Sequence, residues 1–291
     1  WSIFNFVLPG YLLSYSAFLR RYQDGTDAED LRRRISPFLM RRLKKEVLTE
    51  LPDKIESVFT AQMSPEQAKV YEATMMRLRQ RVDSIVKEKG FERGRTEVLA
   101  AITQLREICC HPSLVLDDYT GTSGKLDMLL DMLPEAIAKG RRVLLFSAFT
   151  SMLKILRREL DDAGYETMYL DGDTPAQRRV EMAEQFNAGQ GQIFLISLKA
   201  GGTGLNLTGA DMVIHYDPWW NPAAEDQATD RAYRIGQTRK VEVIRLVTHA
   251  SIEEQVVALG QRKKALFDQL IKPGESMVGG LSPQEIMSLF Q

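Results

Sequence analysis

Three stretches of this sequence carry residue types and spacings suited to holding an anion. The first is Ser197-Leu198-Lys199-Ala200-Gly201-Gly202-Thr203-Gly204-Leu205-Asn206-Leu207-Thr208. Glycines let a backbone approach a ligand closely, and bare N–H groups beside Lys199 suit phosphate oxygens. A flexible turn is the plainer reading, yet a turn does not need so much Gly, Thr and Asn. The second is Asp226-Gln227-Ala228-Thr229-Asp230-Arg231-Ala232-Tyr233-Arg234-Ile235-Gly236-Gln237. Pro222 and Gly236 mark the start and stop of a short helix, on which Gln227, Arg231 and Arg234 fall at i, i+4 and i+7, one stripe. Two arginines on such a stripe suit a planar, charge-delocalised anion such as a phosphoryl group in transfer. Surface ion pairs to Glu225, Asp226 and Asp230 fit the spacing equally well. The third is Asp217-Pro218-Trp219-Trp220-Asn221-Pro222, where two tryptophans between prolines predict a rigid corner that presents its rings.

Other chemistries are missing their residues. A phosphate-binding loop needs G-x-x-x-x-G-K-[ST]. Gly121-Thr122-Ser123-Gly124-Lys125-Leu126 has the wrong spacing and a leucine in place of the hydroxyl, so Ser123 or Gly124 is expected simply to start a helix. Gly202-Thr203-Gly204 lacks the third glycine of a dinucleotide fingerprint, and Asp217 is followed by Pro218 rather than a second acid. The three histidines (111, 215 and 249) are scattered, so each is expected to pack rather than catalyse. Cys109 and Cys110 are adjacent, which bridges poorly, and zinc is not expected. Alone, this chain is expected not to cleave ATP.

The elements that must position these stretches follow two regimes. Residues 1–139 read as helical with few strand signals. Ser64-Pro65-Glu66-Gln67 opens a helix that runs to Gly90, and two more cover roughly 96–109 and 125–138. From 140 onward, short apolar strands alternate with helices: 143–149, 167–170, 193–197, 212–216 and 241–247. Thr174-Pro175-Ala176-Gln177 and Ser251-Ile252-Glu253-Glu254 are read as caps, and a short helix is expected at 283–290. The alternation predicts an α/β fold with a mostly parallel sheet covered on both faces, whose ligands bind at the carboxyl ends of its strands. No apolar run approaches the ~18 residues of a membrane span. The composition, 44% hydrophobic and 26% charged with net charge −1, is ordinary. Within it, residues 31–45 hold seven Arg or Lys and no acid. This is either a solvated helix face or a stripe facing an anion. The apolar start WSIFNFVLPGYLL is not a signal peptide, and the chain reads as part of something longer.

FSAFTSML, YLDGDT, SLKAGGTGLNLTGADMVIHYDPWWNP and QATDRAYRIGQTRKVEVIRLV resemble, in order and spacing, the later helicase motifs of superfamily 2. The R-x-x-R-I-G-Q ending and the WNP block are similar to the SWI/SNF chromatin-remodelling ATPases rather than the DEAD-box helicases. FLMRRLKKEVLTELPDK, LREICCHPSL and SIEEQVVALGQRKKALFDQLI resemble further blocks of that family. The resemblance implies a RecA-like C-terminal lobe with an α-helical protrusion on its N-terminal side. Residues 1–62 would link it to a first motor lobe and include the basic segment. Residues 63–120 would form the protrusion, 121–250 the lobe, and 251–291 a bracing helix and tail. ATP and Mg2+ would be held mainly by the N-terminal RecA-like lobe of the same protein, and double-stranded DNA would be gripped without unwinding.

Carried over by motif, Arg231 and Arg234 would be arginine fingers, with Gln227 beside them, and Gly204 and Asn206 would face nucleotide. Phe146, Ser147, Asp171, Gly172, Ser197, Lys199, Gly201, Gly202, Trp219, Trp220 and Asn221 would face DNA. DNA-bound proteins would be remodelling substrates, in a nucleoid or a nucleus according to the organism. Tyr233 and Cys110 stand where the family often has His and Asn.

Overall fold

The computed structural model describes residues 1–22, 27–38, 51–200 and 204–270. The chain divides into two units, one built on Glu50–Gln261 and one on Trp1–Thr49 with Arg262–Val278. In the smaller, α1 (Ser2–Val7), α2 (Tyr15–Tyr22) and α3 (Ala28–Ile35) gather Phe4, Leu12 and Ile35 into a small core. The basic run begins in α3, where Arg34 pairs with Asp30 at 3.0 Å; its remainder past residue 38, like Gly201, Gly202 and the expected helix at 283–290, lies outside the described residues.

The larger unit is a six-stranded sheet: β1 (Lys54–Ala61), β2 (Val143–Ser147), β3 (Thr167–Leu170), β4 (Ile193–Ser197), β5 (Met212–His215) and β6 (Val241–Thr248). Every pairing is parallel, in the order β1-β6-β5-β2-β4-β3. β2, β4 and β5 are buried along their whole length, as a sheet covered on both faces requires. Successive residues of β2 serve opposite faces. Val143 and Leu145 pack with Leu126, Leu129, Met152 and Leu156 of α6 (Gly124–Ala138) and α7 (Thr150–Asp162). Leu144 and Phe146 pack with Met182 and Phe186 of α8 (Ala176–Asn187).

β1 corrects the reading of residues 1–139 as helical. It lies at the sheet edge, in register with β6 from Lys54↔Val241 to Ala61↔Thr248. Ile55, Val58 and Phe59 are exposed, so neither an unbroken apolar run nor a clean alternation marks the strand.

A helical layer flanks the sheet. α4 (Pro65–Lys89) ends at Gly90, whose φ of 73° favours glycine, and α5 (Phe91–Cys110) returns against it. Tyr71, Leu78 and Val82 of α4 meet Val98, Ile102 and Leu105 of α5 and Ile252 and Val256 of α10 (Ile252–Leu270). Ser64 caps α4 by accepting from Gln67 N, and the Gln67 side chain spans to the carbonyls of Ile108 and Cys109 and to Gly124 N. Gly124 is required where it stands, because a Cβ there would lie 1.6 Å from the Gln62 carbonyl oxygen. As expected, Ser123 caps α6, while Lys125 is buried in an ion pair with Glu253 at 2.7 Å. Thr174 is not a cap; its hydroxyl bonds Asp171 instead.

Candidate functional site

Four loops leave the carboxyl ends of β2, β3, β4 and β5, where parallel sheets bind their ligands. After β2, the Phe146 ring stacks on His215 with centroids 5.5 Å apart, and Ser147 Oγ donates to Asp217. Both side chains are buried, so any contact with a ligand here falls to backbone groups or to neighbouring residues. His215 is buried too and bonds Thr229 Oγ1 at 2.9 Å, and burial pushes its pKa down to about 3. The expectation that His215 packs holds.

After β3, Asp171 accepts from Tyr169 OH, Asp173 N and Thr174 Oγ1, which shapes the turn and leaves Gly172 exposed. Arg179, which the sequence reading missed, fastens that turn to the next loop. Its guanidinium donates to the carbonyls of Thr174 (2.7 Å), Gly172 (2.9 Å) and Ala200 (3.0 Å). After β4, Ser197 is buried and Lys199 is exposed, with its ammonium 5.9 Å from the Trp219 ring centroid. Leu205 and Leu207 anchor the glycine-rich loop in the core, so Gly204 and Asn206 face outward. Asn187 and Gln237 hold it from below: Asn187 Nδ2 donates to the Asn206 carbonyl, and Gln237 Nε2 to those of Thr208, Ala210 and Ala232.

After β5, the tryptophans do not form the free-standing corner the sequence suggested. Trp219 and Trp220 are partly buried and close on Arg106 of α5, each ring centroid 5.3 Å from its Cζ, with Phe149 at 5.1 Å. Arg106 Nη2 also donates to Asp217 Oδ2 (3.2 Å) and to the Pro218 carbonyl (2.7 Å). Asn221 caps α9 (Pro222–Thr229) by accepting from Ala223 N. Glu225 accepts from Trp219 N and Arg245 Nε, both at 2.7 Å; burial pushes its carboxyl up against the pull of those donors. Glu225 and Asp226 thus pair with Arg245.

The single-helix stripe of Gln227, Arg231 and Arg234 needs correcting. α9 ends at Thr229, and the chain continues in tight turns in which the Arg231 carbonyl accepts from Leu207 N at 2.9 Å. That bond ties the segment to the glycine-rich loop. Gln227 and Arg234 are exposed, and Arg234 Nη1 donates to the Gly204 carbonyl at 3.3 Å. Arg231 is 5% exposed, and its Nε and Nη1 have no hydrogen-bond partner among the described residues. Burial pushes its pKa down to about 10. A buried N–H without an acceptor costs roughly 1–3 kcal/mol, so these donors are suited to an anion brought from outside the chain.

Residues 1–114 match the model of the SNF2-related domain, and residues 124–236 match the helicase conserved C-terminal domain. Over the whole chain it is 38% identical to a putative ATP-dependent helicase/translocase, YwqA, of Bacillus subtilis, and spans 32% of that protein. The chain belongs to the SWI/SNF-type ATPases of helicase superfamily 2. A further relative is the chromatin structure-remodeling complex subunit snf21 of Schizosaccharomyces pombe, 34% identical over 94% of this chain and 25% of that protein. Among solved structures, the Sulfolobus solfataricus SWI2/SNF2 ATPase core in complex with dsDNA is 35% identical, with a TM-score of 0.64. That alignment covers 93% of this chain and 59% of the other. The parallel sheet is thus the RecA-like fold expected of the family.

For a SWI/SNF-type lobe, the two implied ligands fit these residues differently. The orphaned Arg231 donors and the exposed Arg234 fit a nucleotide phosphate. No cluster of His, Cys, Asp or Glu that could hold a metal ion is present among the described residues, and Mg2+ is given no role on them. No helix among the described residues is long and apolar enough to cross a membrane.

Proposed function

We propose that this chain is the C-terminal lobe of an ATP-driven motor that tracks along double-stranded DNA and remodels protein–DNA complexes, completing a nucleotide site whose phosphate-binding loop lies on another lobe of the same protein. The buried Nε and Nη1 of Arg231, which have no hydrogen-bond partner among the described residues, carry this reading. A charge kept out of water without a counter-charge is costly to the fold, and here it lies beside a glycine-rich loop at the carboxyl edge of a parallel sheet. When the lobes close on ATP, Arg231 donates its free N–H groups to the γ-phosphate. Arg234 exchanges the Gly204 carbonyl for a phosphate oxygen. Both then oppose charge that grows on the transferring group, and Gln227 borders the attacking water. Gly204 and Asn206 form the nucleotide-facing rim.

The DNA backbone lies across the loops after β2, β3, β4 and β5. Lys199 supplies the ammonium, the backbone of Gly172 supplies a close approach, and Trp219, Trp220 and Asn221 shape the edge. Because Phe146, Ser147 and Ser197 are buried, they act by setting the backbone rather than by touching phosphate. The relatives' printed activities, an ATP-dependent helicase/translocase and a remodelling-complex subunit, support the same assignment.

The test compares DNA-stimulated ATP turnover by the complete protein and by this chain, and asks whether the complete protein displaces a triplex-forming strand without separating the duplex. Turnover and displacement are expected only from the complete protein. ATP hydrolysis by this chain alone contradicts the assignment.

A further inference from the structure

Arg106 stands on none of the four loops, yet it meets two of them. It comes from α5, 111 positions before Asp217. Its side chain is 2% exposed, and that of Asp217 is 0%. Asp217 and Pro218, which accept from its Nη2, belong to the loop after β5, as do Trp219 and Trp220. Phe149, which covers the guanidinium from another direction, belongs to the loop after β2. The two loops are joined again through Asp217, which accepts from Ser147 Oγ and from Ala148 N at 3.2 Å. A planar guanidinium can lie against aromatic faces while its N–H groups bond in the plane; an ammonium cannot reproduce both.

We infer that Arg106 is a positioning residue for the DNA-contacting edge: it holds the loops after β2 and β5 in one fixed relation, and through Trp219 it places the Lys199 ammonium. The inference rests on the motor reading above. Arg106 itself touches no ligand. A buried ion pair needed only for stability can be exchanged for apolar or neutral groups without harm to function. The two bonds from Nη2 and the ring cage instead tie the orientation of two tryptophans to the helical layer of α4 and α5.

The test uses the complete protein with Arg106→Met/Asp217→Asn, which leaves no isolated buried charge, and with Arg106→Lys, which keeps the charge but loses the planar group against the three rings. Three quantities are read from ATP turnover: the DNA concentration for half-maximal stimulation, the plateau rate and the KM for ATP. The double variant is expected to raise the half-maximal DNA concentration about tenfold. Its plateau rate and KM for ATP are expected to stay within about twofold of the unmodified protein. Arg106→Lys is expected to fall between the two, and it carries the same readout if the double variant does not fold. A purely structural role lowers the plateau, because fewer molecules are folded, and leaves half-saturation where it was; that result overturns the inference alone. If the unmodified protein shows no DNA stimulation, the motor reading falls, and the inference falls with it.

Discussion

Two buried guanidiniums in the same unit, Arg106 and Arg231, differ in what meets them: Arg106 has an ion pair, and only its Nε is buried without a hydrogen-bond partner among the described residues. Arg106 is 2% exposed, faces Asp217, the Pro218 carbonyl and three aromatic rings, and joins the helical layer to the sheet. Arg231 is 5% exposed, yet its Nε and Nη1 have no hydrogen-bond partner among the described residues. On the proposed reading, the difference separates a charge neutralised within the fold from one kept ready for a ligand. Breaking a buried pair strands its partner charge, whereas removing an unpaired buried charge relieves a cost.

The largest effect that could break this contrast lies in catalysis. Arg234→Ala in the complete protein is expected to lower DNA-stimulated ATP turnover on the order of 10³-fold while DNA binding persists. Next comes folding stability, measured by urea unfolding. Arg106→Ala is expected to lose about 3–5 kcal/mol because Asp217 is left buried and unpaired. Arg231→Ala is expected to lose less than about 1 kcal/mol, and a gain is consistent with the account.

His215 supplies a neutral comparison. Its folded-state pKa is lowered to about 3, so the unfolded chain takes up a proton near pH 6.5 that the folded chain refuses. Stability from this group is therefore complete above pH 6.5 and falls toward pH 3, by about 1.4 kcal/mol per pH unit. His215→Gln, compared with the unmodified protein across that window, is expected to flatten the slope by up to one proton. The smallest effect concerns Lys199. Its replacement by Ala is expected to reduce the log–log salt dependence of DNA binding by about 0.9.

Much of this architecture was legible from local pattern. The buried strands β2, β4 and β5 announced themselves as apolar runs, and Ser64, Gly90 and Ser123 marked helix ends through capping chemistry that acts within a few residues. β1 was not legible, because its partner lies about 190 positions downstream and most of its side chains face outward. The arginine stripe was misread for a related reason. Helical spacing continues past Thr229 in the sequence, but the helix ends there, and the Arg231 carbonyl accepts from Leu207 N, a residue far away in the chain. The tryptophan corner was correctly placed on a loop, and its ring contacts were hidden because Arg106 is remote in sequence. Motif resemblance located the segments; which side chains stand inside and which outside emerged only from packing.

The central claim is that the Arg231 guanidinium meets nucleotide phosphate, and DNA-stimulated ATP turnover by the complete protein carrying Arg231→Ala tests it most directly, with DNA affinity measured on the same material. The account predicts a loss on the order of 10³-fold in turnover with DNA affinity and urea midpoint close to the unmodified protein. Turnover that survives the substitution nearly intact contradicts it.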